Sequence, residues 1–133
     1  MPSMDQMSGD LQLSAYIPGA TITTDDEWAL FRVPWNAKIT AVKWVPHAAV
    51  TADVTDYTDI TVLNKASGAG TAVVATRSYA AVDSVAFTPE SMTLGTAANL
   101  LVSANQLLTL TNVNTASGLA LPDGHVRVTV RIR

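Results

Sequence analysis

The sequence of 133 residues has no cysteine. That excludes a disulfide framework and any thiolate-ligated metal site. It is also short of charge: Asp, Glu, Lys and Arg make up 14% of the chain, against about 25% in an ordinary globular domain. A surface with so few charges is expected to lie partly against another surface. The formal net charge of −3 argues against a nucleic-acid partner, which is bound by basic residues that displace counterions. No run of apolar residues reaches the roughly 18 needed to cross a bilayer, so no membrane partner is expected. The opening Met1 to Met7 has neither the basic nor the apolar region of a signal peptide. No internal repeat is visible, which argues against propellers and solenoids.

What is present favours strands. The chain has 17 threonines and 15 valines but only two glutamates and three lysines. β-Branched side chains suit a pleated surface and lose rotamer freedom in a helix. The expected fold class is therefore all-β: a jelly-roll-like β-sandwich of about eight short antiparallel strands. Residues 1–9 read as an N-terminal arm and residues 10–133 as a single domain, within the usual size range.

Local patterns place the strands. Leu11, Leu13, Ala15 and Ile17 alternate with Gln12, Ser14 and Tyr16, the two-residue period of a strand with one face inward. Trp28 to Val33, Ile39 to Val45 and Tyr57 to Leu63 are further strands, with Pro34 and Pro46 at two of the ends. Ser67-Gly68-Ala69-Gly70 supplies a turn, so Thr71 to Tyr79 returns as a hairpin partner. Val82, Val85 and Phe87 form a short apolar segment, and Thr88-Pro89-Glu90 suits the start of a helical turn. Leu100 to Val102 and Gln106 to Val113 flank Ala104-Asn105, where Asn tolerates a left-handed turn conformation. The last strand is the clearest. Val126, Val128, Val130 and Ile132 alternate with Arg127, Thr129, Arg131 and Arg133, so the valines face a core and the arginines face water or an acidic partner.

Residues able to carry chemistry are sparse. His47 and His125 have no ligand-like spacing and read as separate surface histidines. No Gly-x-Ser-x-Gly elbow marks a nucleophile, and no catalytic residue or cofactor is assigned; the chain is not expected to be an enzyme. Asp25-Asp26-Glu27 and the triplet Asp53, Asp56, Asp59 lack the alternating ligands, turn glycine and terminal glutamate of a calcium loop. They read as turn chemistry, and no metal is expected. Of the three tryptophans, Trp28 and Trp44 are expected in the core and Trp35 at the surface.

Three stretches carry a resemblance: Phe31 to Ala75, Leu94 to Leu110, and Gly118 to Ile132. Their landmarks are Val33-Pro34 before a basic strand, the Ala49-Val50-Thr51-Ala52-Asp53 loop, Asn64-Lys65 before a glycine-rich turn, and a closing Pro122-Asp123-Gly124 hairpin. Together they resemble the small head proteins of tailed bacteriophages known as decoration or cement proteins. Ala104-Asn105-Gln106 departs from the Ala-Gly-Asp expected there. The resemblance implies a structural protein made in the host cytoplasm that binds the exterior of an assembled capsid. It would reinforce that capsid between capsomers, with the major capsid protein and a homotrimer of itself as partners. Met4, Met7, Trp35, Arg127, Arg131 and Arg133 are the candidate capsid or subunit contacts. The alternative is a carbohydrate- or receptor-binding module of a phage fibre or virion surface, using Trp35 and loop aspartates.

Overall fold

The computed structural model describes residues 9–66 and 70–133. Ten strands run in chain order: β1 (Leu11–Ile17), β2 (Glu27–Val33), β3 (Ala37–Pro46), β4 (Tyr57–Asn64), β5 (Ala72–Ser78), β6 (Glu90–Ser91), β7 (Thr93–Leu94), β8 (Leu101–Val102), β9 (Gln106–Thr115) and β10 (Gly124–Ile132). A 3-10 turn at Ala97–Leu100 precedes β8.

The strands form two antiparallel sheets. The first has the order β1-β10-β3-β6, with β8 also on β3; the second has the order β2-β9-β4-β5-β7. The chain passes back and forth between the sheets, so sequence neighbours such as β1 and β2 or β3 and β4 lie in different sheets. Two five-stranded layers linked in this way make a jelly roll, an all-β architecture that leaves few exposed sheet edges.

The alternation expected for the last strand holds. In β10, Val126, Val128 and Val130 are fully buried, while Arg127 and Thr129 face outward between the flanking strands β1 and β3. Each buried valine contributes about 1.5–3 kcal/mol relative to exposure. Ile39, Val42 and Trp44 of β3 and Ile60, Val62, Leu108 and Leu110 of the second sheet complete the core. Gly124 is needed at the end of β10. A Cβ there would lie 2.5 Å from the Val45 carbonyl oxygen and 2.6 Å from the Trp44 ring. Asn105 has the expected left-handed conformation, with φ of 69°.

The stretch from residue 80 to 102 departs from expectation. Val82, Val85 and Phe87 are 64–68% exposed and contribute nothing to the core. Thr88-Pro89-Glu90 starts no helical turn; Glu90 instead opens β6 and pairs with Trp44. What would be one edge strand is broken in three. β6 pairs with β3 at Lys43 and Trp44, β7 crosses to pair with β5, and β8 returns to β3 at Ala37 and Lys38. Met92, Leu100 and Val102 from this segment are buried and close the open side of the core. The turn residues Ser67, Gly68 and Ala69 and the arm residues 1–8, including Met4 and Met7, lie outside the described residues.

Candidate functional site

Two polar clusters form around the first sheet. The inner one begins at Trp44, whose indole N–H donates to the Tyr79 hydroxyl at 2.9 Å. The Tyr79 and Ser84 hydroxyls are 2.8 Å apart, and Ser84 Oγ–H donates to Glu90 Oε1 at 2.6 Å. Because the one Ser84 proton goes to the carboxylate, the Tyr79 proton must go to Ser84. The chain therefore runs in one direction, from Trp44 to Glu90. Arg77 closes it. Its Nε and one terminal nitrogen reach the two Glu90 oxygens at 3.0 and 3.2 Å. Its remaining N–H groups donate to Ser84 Oγ and to the carbonyls of Ser78, Val82 and Asp83. The guanidinium also lies 3.8 Å over the Tyr79 ring. Burial pushes the Tyr79 phenol above its ordinary range. A groove of about 390 Å³ beside this cluster is lined by Thr76, Arg77, Ser78, Val82, Glu90, Ser91 and Thr93. Its two charged residues are already committed to each other, so the cluster anchors the 80–91 segment.

The outer cluster lies where β1, β3 and β10 end. Asp123 Oδ2 accepts from the Tyr16 hydroxyl at 3.0 Å and from His47 Nδ1 at 3.1 Å. His47 Nε2 lies 2.7 Å from His125 Nδ1. The two histidines, read from sequence as separate surface residues, are therefore one hydrogen-bonded pair, brought together because β3 and β10 are adjacent. One proton occupies the bond between the rings, and a second would set N–H against N–H. Phe87, held at φ of 60°, stacks on His47 at 5.3 Å between ring centroids. The hydrogen bond from His47, then that from Tyr16, holds the Asp123 carboxyl below its ordinary value. The bond to Asp123 in turn holds the Tyr16 phenol above its own. The one hydroxyl bonded into this relay is thus kept protonated, the opposite of an activated nucleophile.

Three of the acidic residues singled out in the sequence, Asp25, Asp53 and Asp56, accept backbone N–H groups, while Glu27 bonds the Lys65 and Thr109 side chains. Asp53 Oδ1 accepts the N–H groups of Thr55 and Asp56, Asp56 accepts from Ser117, and Asp25 accepts from Asn114. Among the described residues, no three His, Asp or Glu side chains are disposed to hold a metal ion.

The candidate contact residues do not converge on one site. Trp35 is half-buried against the core rather than exposed, Trp28 packs against it too, and Trp44 is wholly inside. Arg133 turns back to its own chain, bonding the carbonyls of Ala37 and Val102. Arg127 and Arg131 do share a surface, the outward face of β10. Arg131 pairs with Asp10 at 3.1 Å in an open position. Arg127 has no ion-pair partner among the described residues.

The fold is shared with a phage capsid chain. A chain of the cyanophage Pam1 capsid asymmetric unit is similar over 92% of this chain and 81% of its own length, with 21% identity and a TM-score of 0.51. A weaker similarity, to the infectious bursal disease virus Gx strain structure, covers 92% of this chain and 32% of that one, with 13% identity and a TM-score of 0.40. No protein-family model matches the sequence, and no curated protein matches it.

Sequence reasoning missed the outer cluster because its members are 107 and 78 positions apart along the chain. It missed the inner one because Arg77 and Glu90 belong to no motif. The available signal was Arg77 itself, a charged residue just after the buried run Val74-Ala75 in a strand otherwise poor in charge.

Proposed function

We propose that this chain is a structural protein of a virus particle that attaches to the exterior of an assembled tailed-phage capsid and cements it between capsomers. The observation that carries the reading is the intact jelly roll, which aligns along nearly its whole length with a chain of a phage capsid asymmetric unit. The chemistry of the two clusters supports it. Their titratable groups are bonded to one another and to nearby backbone, where they hold loops in place, which fits a chain that acts by binding. The low charge content fits a protein that spends its working life against another surface. The partner is the major capsid protein, and the chain assembles as a homotrimer, a closed ring that leaves no open end for further growth. Binding the assembled shell and not its free subunits shifts the assembly equilibrium toward the shell by mass action.

Co-sedimentation with empty shells purified from the phage that encodes the chain tests this. Saturable binding to shells, none to unassembled capsid subunits and no signal on a glycan array are the expected results. Glycan binding without shell binding would replace this reading with a receptor-binding one.

A further inference from the structure

On the outward face of the first sheet, antiparallel register sets like charges side by side. Arg127 of β10 lies directly opposite Lys43 of β3, and Arg131 lies directly opposite Lys38. Directly opposed side chains on one face have Cβ atoms about 5 Å apart, and like charges in such pairs destabilise a sheet. The two pairs are four residues apart on β10, about 13 Å along the strand. Half of the eight Lys and Arg residues of an acidic chain thus sit on one sheet face. Asp10, bonded to Arg131, is the acid that meets them. The other four have partners: Arg32 the Asn105 carbonyl, Lys65 Glu27, Arg77 Glu90, and Arg133 two carbonyls. Lys38, Lys43 and Arg127 have none among the described residues, and all three are on this face.

We propose that this face, centred on Lys43 and Arg127 and extended by Lys38 and Arg131, docks on an acidic protein surface. Under the function proposed above, that surface belongs to the shell. Charge complementarity identifies the occupant. A second copy of the chain offers few uncommitted carboxylates, because Asp10, Asp25, Glu27, Asp53, Asp56, Asp83, Glu90 and Asp123 already accept internal hydrogen bonds. A nucleic-acid backbone would meet Asp123 and Asp10 at the two ends of the face, within a chain of net charge −3. An acidic protein surface relieves both like-charge pairs at once, and its carboxylates would steer the approach.

The test is the double variant Lys43→Gln with Arg127→Gln, set beside Arg32→Gln, which removes a positive charge from the second sheet. Binding to purified empty shells is measured by sedimentation at about 0.05 M and about 0.5 M salt, where screening lengths differ severalfold. The double variant should melt no lower than the unaltered chain, since it loses a repulsion, yet bind shells about tenfold more weakly at low salt. Arg32→Gln should bind as the unaltered chain does, and added salt should weaken the unaltered chain more than the double variant. Equal binding by the double variant would overturn this surface while leaving shell attachment standing. Failure of the unaltered chain to bind would overturn both. A fall in the chain's own oligomer mass in the double variant would make a second copy the occupant. Loss of binding to labelled duplex DNA would make it nucleic acid. Either result would refute the assignment.

Discussion

The two polar clusters beside the first sheet are built from similar parts, an aromatic hydroxyl, a carboxylate and a basic side chain, yet they differ in burial. In the inner cluster the Arg77 and Glu90 side chains are 9% and 19% exposed; in the outer one His47 and Asp123 are 21% and 42% exposed. Burial removes the water that would otherwise take the place of a lost partner, so each inner bond weighs on stability. The outer cluster stays wet, and its bonds set local geometry and protonation more than they hold the fold.

The largest effect should come from breaking the inner cluster at its base. Arg77→Ala leaves Glu90 without its cation and frees three loop carbonyls, and should cost about 3–5 kcal/mol in denaturant unfolding. A loss below 1 kcal/mol would mean that the cluster is as wet as the outer one. Tyr79→Phe comes next. It leaves the buried Trp44 N–H without an acceptor and removes one of the two donors to Ser84 Oγ, at a cost of about 1–3 kcal/mol. Its pH signature is also specific. Because the Tyr79 phenol is raised in the folded state, its contribution is complete below its ordinary pKa near 10 and lost as pH rises through the raised value. The variant should therefore show a shallower decline in stability above pH 10. Tyr16, raised by its bond to Asp123, carries part of what remains.

The outer cluster should give the smallest effect, and on the acid side. The Asp123 carboxyl is depressed in the folded state, so it contributes above its ordinary value of 3.8 and the contribution fades as pH falls below that. Asp123→Asn should change stability little at pH 7 and flatten part of the loss below about pH 4. Asp53, depressed by the backbone N–H groups of Asp56 and Thr55, keeps the rest of that acid limb in place. A melting-temperature series from pH 2.5 to 7 on both proteins checks this, and identical acid limbs would place Asp123 outside any pH linkage.

What could be read from the sequence follows the same division. β10 and β1 alternate apolar and polar residues without interruption, so their inward faces and the all-β class were legible from period alone. The broken edge from Glu90 to Val102 was not. Two-residue strands are too short to show a period, and their pairing is set by Trp44, Lys38 and Ala75, far away in sequence. Phe87 misled for a related reason. An apolar residue usually reports a core, but here the loop geometry fixed by Arg77 turns its ring outward onto His47. The arginine face of β10 was visible as a pattern. Its lysine neighbours on β3 became visible only once the register was known.

The proposed role is tested most directly by shell stability. Empty shells heated with and without saturating amounts of the chain should differ in disruption temperature, and the shift should grow with occupancy and level off once every site is filled. Shells that bind the chain to saturation yet fall apart at an unchanged temperature would contradict the account.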